Sequence, residues 1–247
     1  ANGPVSAIKT ATPDQAALMA LTPLSPTNTI ELRPAYTTIR PDGHLGDVDL
    51  RLGLWMPYVL LPGIAAPHMG SLIVLDLHFQ TLHSPMVDET GIGDLSFIDL
   101  AVYEFRHAGI GLGFTAILPS ATTPAFGLGK LQLGPTAAFG GGGSHLVFSL
   151  TLINVFSVAG DANRPDIDTL AAVPTVGYLL PKAFFLRFDP IWTFEWKRSG
   201  FATIPVNIAA GHAFTKRLLV FVQPEWVTTG TLKNSFTVRA ALSYLGW

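Results

Sequence analysis

The chain of 247 residues is 49% hydrophobic and only 13% charged, about half the charge of an average soluble domain. A mean hydropathy of +0.40 leaves apolar surface that water alone would not tolerate and points to lipid as the second solvent. A net charge of −2 offers no basic stripe for nucleic acid, and zero cysteines exclude disulfides, thiolate chemistry and Cys-ligated zinc.

The chain opens on Ala1-Asn2-Gly3, with neither a methionine nor an apolar signal core, as expected of a mature form whose export signal has been removed. Thr12-Pro13-Asp14-Gln15 supplies an N-cap, a proline at the first helical position and a capping-box glutamine. With Ala16, Ala17, Leu18, Met19, Ala20 and Leu21 it predicts a short apolar helix within an N-terminal segment, residues 1–24.

From 25 to 247, clusters of Gly, Pro and Asn/Asp cut the chain into about twelve segments. They lie near 27–40, 46–60, 71–83, 92–106, 108–118, 130–139, 145–158, 168–180, 183–197, 201–214, 217–228 and 235–246, each about the length of a tilted strand that crosses a membrane. The stretches free of Asp, Glu, Lys and Arg, 107–129 and 131–160, are broken by Gly111, Gly113, Pro119, Pro124, Gly127, Pro135 and Gly140 to Gly143. No membrane-spanning helix fits there. The remaining structure that satisfies every backbone group in a bilayer is a closed antiparallel transmembrane β-barrel, so the fold class is all-β with a short N-terminal helical segment.

Period-two patterning assigns faces. In 46–60, Val48, Leu50, Leu52, Leu54, Met56, Tyr58 and Leu60 point one way and Asp47, Asp49 and Arg51 the other. In 71–83, Ile73, Leu75, Leu77 and Phe79 are outward, with Asp76, His78 and Gln80 inward. Segment 92–106 resists: Asp94 and Glu104 share one parity and Asp99 the other, which predicts a bulge. In 183–197, Phe184, Leu186, Phe188, Trp192, Phe194 and Trp196 oppose Arg187, Asp189, Thr193, Glu195 and Lys197. In 235–246, Phe236, Val238, Ala240, Leu242 and Tyr244 are outward and Arg239 inward. Tyr58, Trp192, Trp196, Trp226 and Tyr244, near segment ends, read as an interfacial girdle.

Gly91-Ile92-Gly93-Asp94-Leu95 opens one segment and Gly127-Leu128-Gly129-Lys130-Leu131-Gln132-Leu133-Gly134-Pro135-Thr136 another. With these motifs and the twelve-segment pattern, the sequence resembles the outer-membrane family named after the meta-pathway of phenol degradation. The resemblance implies a twelve-stranded channel in the outer membrane of a Gram-negative bacterium, associated with breakdown of aromatic or other hydrophobic compounds, and carries over no catalytic residues. One departure concerns the end. Barrels usually finish on an aromatic in phase with the outward face, whereas Trp247 is out of phase with Leu242 and Tyr244, so the last strand is expected to stop at Tyr244.

The predicted lumen has two unlike sides. From 183 through the C-terminus to 83 the inward positions include Glu31, Arg33, Asp47, Asp49, Arg51, Asp76, Arg187, Asp189, Glu195, Lys197, Glu225 and Arg239, read as a cross-linked charge network. From 108 to 180 they are small and uncharged, including Gly111, Gly113, Thr115, Thr136, Ser149, Thr151 and Thr175. This side is the expected solute path, or the seat of the N-terminal segment, whose Leu18, Met19 and Leu21 would plug the lumen. Prolines cannot donate to a ladder, so Pro135 and Pro174, on either side of segment 145–158, mark an expected lateral gate into the bilayer.

The expected function is passive uptake of small hydrophobic or aromatic molecules by a monomer. The alternatives are a structural or adhesive plugged barrel, a narrow polar diffusion pore, and a soluble β-sandwich binding module. Expected partners are the lipid bilayer with lipopolysaccharide, a small hydrophobic solute and, in vitro, detergent; no enzyme activity, cofactor or metal is expected. Ser144, His145 and Asn154 supply hydrolase residue types without a nucleophile elbow. His68, His78 and His83 lack the every-second-residue spacing of ligands on one strand face.

Overall fold

The computed structural model describes residues 12–21, 24–39, 42–61, 64–105, 108–198, 201–230 and 232–246. Trp247, residues 1–11 and the side chain of His68 lie outside the described residues. Helix α1 (Pro13–Leu21) starts at the predicted box. Thr12 N donates to Gln15 Oε1 (2.8 Å) and Gln15 N to Thr12 Oγ1 (3.3 Å), satisfying two donors that the first turn leaves open.

Twelve antiparallel wall strands follow: β1 (Thr29–Ile39), β2 (Gly43–Leu61), β3 (Ile64–His83), β4 (Asp88–Ile92 with Leu95–Glu104), β5 (Ala108–Leu118), β6 (Lys130–Gly142), β7 (Leu146–Gly160), β8 (Asp168–Leu179), β9 (Phe184–Phe188 with Trp192–Glu195), β10 (Phe201–Thr203, Pro205–Asn207 and Ala209–Ala213), β11 (Leu218–Val227) and β12 (Phe236–Leu245). Each pairs with its neighbours in sequence, and β12 pairs with β1 from Thr29↔Leu245 to Thr38↔Phe236. The ring is therefore closed, which removes the unpaired edges that hydrocarbon cannot satisfy.

Burial alternates along all of β1, with Ile30, Leu32, Pro34 and Tyr36 outward and Glu31 and Arg33 inward. Around the ring the outward positions are exposed and apolar, among them Leu112, Phe114, Phe148, Val176, Val222 and Leu242. Water would make each of these large side chains cost roughly 1.5–3 kcal/mol, and hydrocarbon removes that cost. Trp196 and Trp226 are exposed at one end of this surface and Tyr178 and Tyr244 at the other, where amphipathic rings meet headgroups.

The two ends differ. Beside α1 and the C-terminus the connections are short, at 143–145, 180–183 and 214–217, whereas the opposite end carries 119–129, 161–167 and 228–235. Short turns face the periplasm in outer-membrane barrels, so α1 lies at the periplasmic end.

Three local departures have physical causes. In β4 the register on β3 changes by one residue, from Phe79↔Ile92 to Asp76↔Ser96. The break holds Asp94, which accepts from Ala121 N (3.1 Å) and Leu128 N (2.9 Å). Asp99 then sits opposite Ile73 on the outer face, where Ser71 Oγ donates to it. Second, β12 continues past Tyr244 to Leu245, and Gly246 N donates to Asn28 O (2.7 Å), correcting the expected stop at Tyr244. Third, a loop centred on Asn163, midway between segments 145–158 and 168–180, would set Thr151 opposite Thr175, but β7 and β8 turn around each other one residue earlier. Ser149 faces Thr175 and Thr151 faces Val173, because Asp161 Oδ1 accepts from Asn163 N (2.9 Å) and tightens the connection early.

Candidate functional site

The lumen is built by the inward halves of the alternating strands. On β1, β2 and β3, Arg33 donates to Asp49 and to Asp76 (3.1 Å), and Arg51 forks onto Asp76 through Nε (2.5 Å) and Nη2 (2.8 Å). His78 Nδ1 lies 3.2 Å from Asp47, and Glu31 accepts from Ser243 Oγ (2.8 Å). Across β9 to β12, Arg187 Nε is 2.9 Å from Asp189, which accepts from Gln223 Nε2 (2.6 Å). Gln223 in turn accepts from Arg239 Nη1 (3.0 Å), and Glu225 accepts from Asn207 Nδ2 (3.1 Å). Glu195 stands at the loop end of β9, opposite Thr169 and Phe201. Gln223, Asn207 and Ser243 join this network although the sequence reading, which followed charges, passed over them.

The opposite sector, β5 to β8, carries the small side chains. Thr115 and Thr136 are buried and one hydroxyl donates to the other (2.6 Å), which turns the two oxygens toward each other and leaves methyl surface. Ser149 and Thr175 are also buried. The neighbouring sector is apolar for a reason the sequence concealed. Trp55, Leu72, Val74, Ile98, Leu100 and Val102 form one cluster with Ala138 and Leu24. The one-residue shift in β4 had hidden the inward parity of Ile98, Leu100 and Val102. The uncharged side thus runs from Trp55 of β2 and Leu72 of β3 round to β8, bounded by Lys130 and Gln132 toward the loop end of β6 and by Glu104 at the periplasmic end of β4.

Helix α1 sits across the periplasmic ends of β7 to β12, so its seat extends from the small-residue side expected for it onto the sector that carries charges further along the same strands. Ala16, Ala17 and Leu21 are buried with Val147, Leu179, Ala183, Phe185, Ala209, Ala213, Leu219, Phe221, Ala241 and Leu245, and Leu18 packs against that cluster. Met19 is half-buried. The alanines lie nearer the wall than Leu18 and Met19 because a helix can approach a strand closely only through small residues. Glycine supplies the matching surface. A Cβ on Gly177 would stand 3.0 Å from Leu21, and one on Gly111 would stand 3.4 Å from Leu24. Between Leu18, Leu24 and the Gly140–Gly143 run remains a crevice of about 240 Å3 that Glu104 and Phe105 also border.

The proline seams behave differently. Across β7 and β8 pairing is unbroken from Leu146↔Tyr178 to Phe156↔Asp168, including Leu150↔Pro174. The ladder therefore gives no opening at Pro174, because its missing donor leaves the flanking pairs intact. Between β6 and β7 pairing lapses at Gly134 and Pro135, between Leu133↔Phe156 and Thr136↔Ile153. A longer lapse falls between β9 and β10, around Pro190 and Pro205, where Asp189 N donates to Asn207 Oδ1 (3.0 Å) and Trp192 Nε1 to Pro205 O (3.2 Å).

Ser144 Oγ and His145 Nδ1 are 2.9 Å apart in a periplasmic turn. Asn154 is instead on the outer face of β7, bonded to Trp196 Nε1 (2.9 Å) and Asp168 (3.4 Å), so the three hydrolase residue types do not converge. Among the described residues no group of three or more His, Asp or Glu could hold a metal.

A closed barrel with an apolar exterior, short periplasmic turns and a two-sided lumen defines an outer-membrane β-barrel. Solved structures share the fold. The COG4313 outer membrane channel from Pseudomonas putida F1 is 12% identical with a TM-score of 0.68, over 89% of this chain and 95% of that one. The NanC porin is 8% identical with a TM-score of 0.60, over 87% and 98%, and the outer membrane phospholipase A from Escherichia coli is 12% identical with a TM-score of 0.52, over 93% and 97%. No family model and no curated protein matches the sequence.

Proposed function

We infer that the protein is a passive outer-membrane channel for small hydrophobic or aromatic molecules, akin to the phenol meta-pathway family that its motifs resemble. The observation that carries this reading is the uncharged sector, where the Thr115 and Thr136 hydroxyls bond to each other and the adjoining wall is Leu72, Leu100 and Val102. A solute that cannot repay desolvation of charges would keep to this side. The ion pairs opposite brace the wall, since each guanidinium of Arg33 and Arg51 is already held by carboxylates.

The N-terminal segment plugs the periplasmic end, and the solute leaves either by displacing it or sideways at Pro135, where pairing lapses within the uncharged sector. The longer lapse at Pro190 borders Asp189 and Asn207 and suits an apolar solute less. The rival reading, a permanently plugged structural barrel, draws on the burial of Ala16, Ala17 and Leu21. Uptake separates the two. Cells whose lipopolysaccharide leaflet excludes a small apolar fluorescent aromatic should accumulate it faster when they make this protein, and should not accumulate a sugar of similar size faster. Equal rates with and without the protein would leave the plugged barrel as the reading.

A further inference from the structure

The outer wall has a groove that channel function does not require. It has a volume of about 350 Å3 and opens toward lipid at the periplasmic end. Its floor is Ala210 and Gly211 of β10, between Leu186 of β9 and Val222 of β11. The floor is low because the outward side chain there, Ala210, is only a methyl; Gly211 faces the lumen, where a Cβ would run into Phe185 and Phe221 of the cluster that seats α1.

At the foot of the hollow stand three rings in contact, Phe184 tilted against His212 at 4.4 Å and Phe214 edge-on to His212 at 4.7 Å. His212 Nε2 donates to Lys182 O (3.1 Å), and its Nδ1 is buried without a hydrogen-bond partner among the described residues. Lys182 holds a left-handed backbone (φ 62) beside it. On the next turn Arg217 Nη1 donates to Tyr244 Oη (2.9 Å). The described periplasmic turns at 143–145, 180–183 and 214–217 carry His145, Lys182, Lys216 and Arg217 and no carboxylate. A basic rim beneath an apolar hollow is complementary to a lipid with a negative headgroup.

We propose that this groove binds one anionic glycerophospholipid of the periplasmic leaflet, with an acyl chain along Ala210 and Gly211 and the phosphate at Lys182 and Arg217. Bulk hydrocarbon would fill the hollow indifferently; the rim supplies the selection. A hydroxyl of the glycerol headgroup also offers a donor to the orphaned Nδ1 of His212, an acceptor while Nε2 carries the proton, which an unsubstituted acyl chain cannot.

The test is native mass spectrometry of the full chain, purified in detergent and incubated with equimolar phosphatidylglycerol and phosphatidylcholine of identical acyl chains. The wild type should retain one phosphatidylglycerol with a preference of about tenfold, on the scale expected for two basic side chains near a phosphate. The double variant Lys182→Ala/Arg217→Ala should bring that preference close to unity while keeping its heat-modifiable gel mobility. Ala210→Trp, which fills the hollow from the lipid side, should reduce retention of both lipids. Equal retention of the two lipids by the wild type, or a preference that neither variant alters, would overturn the proposal.

Discussion

Replacing Leu21 by alanine should open the periplasmic end of the lumen. Leu21 is 1% exposed and belongs to the cluster that holds α1 to β8, β9 and β10. Removing a buried leucine side chain costs about 3 kcal/mol where the surroundings cannot collapse. Here they cannot collapse readily, because the facing residue is Gly177 on a paired strand. Only two other residues of the helix, Ala16 and Ala17, are fully buried, so Leu21 carries most of the large apolar contact. A loss of about 3 kcal/mol lowers the docked-to-undocked ratio by about two orders of magnitude. Single-channel recording in a planar bilayer reads this directly. The wild type should dwell at a low conductance, Leu21→Ala should visit a higher level often, and a chain lacking residues 1–24 should stay there. If both changes leave conductance as in the wild type, the segment does not obstruct the lumen and the plug is refuted.

Asp99→Leu should raise the denaturant midpoint, since a carboxylate on the lipid face is a cost that Ser71 relieves only in part; the urea midpoint of folding into vesicles checks it, and a drop would contradict the outward placement. Cysteines at Ser149 and Thr175, which face each other, should cross-link more completely than cysteines at Thr151 and Thr175, which are diagonal; reversed yields would contradict the register. Asp166 in the 161–167 loop accepts from Lys197 (3.2 Å) and Lys130 (3.3 Å), and these ammonium groups hold its carboxyl below the usual aspartate range. A depressed folded value means that loop order is kept above the ordinary aspartate pKa of about 3.9 and is lost only as pH falls through the lower folded value. The protection factor of that loop against hydrogen exchange should therefore hold steady from pH 7 to 5, and Asp166→Asn should lower it across that range.

Strands with strict alternation were legible because the barrel wall imposes a period of two on any residue that meets lipid on one side. Segments 46–60, 183–197 and 235–246 predict β2, β9 and β12 to within a few residues at each end, apart from an interruption at 189–191. The capping box at Thr12 was equally visible, being chemistry within four residues. What failed was whatever depends on a partner strand. The apolar patch around Leu72, Leu100 and Val102 stayed hidden because the break after Ile92 exchanges faces within one segment. The β7–β8 register could not be set from loop length, since the Asx turn at Asp161 displaces its centre. Neutral partners such as Gln223 and Asn207 carry no charge to mark them, although both lie in phase with Asp189 and Glu225.

The central claim is that an apolar solute travels along the β5 to β8 side of the lumen. Density for a small aromatic molecule soaked into crystals of the protein tests it most directly. The account predicts the molecule between Thr115, Thr136 and the Leu100–Val102 wall, on the path toward Leu24. Density for the molecule beside Arg33, Asp49 and Asp76 instead, with ordered water along the uncharged wall, would contradict it.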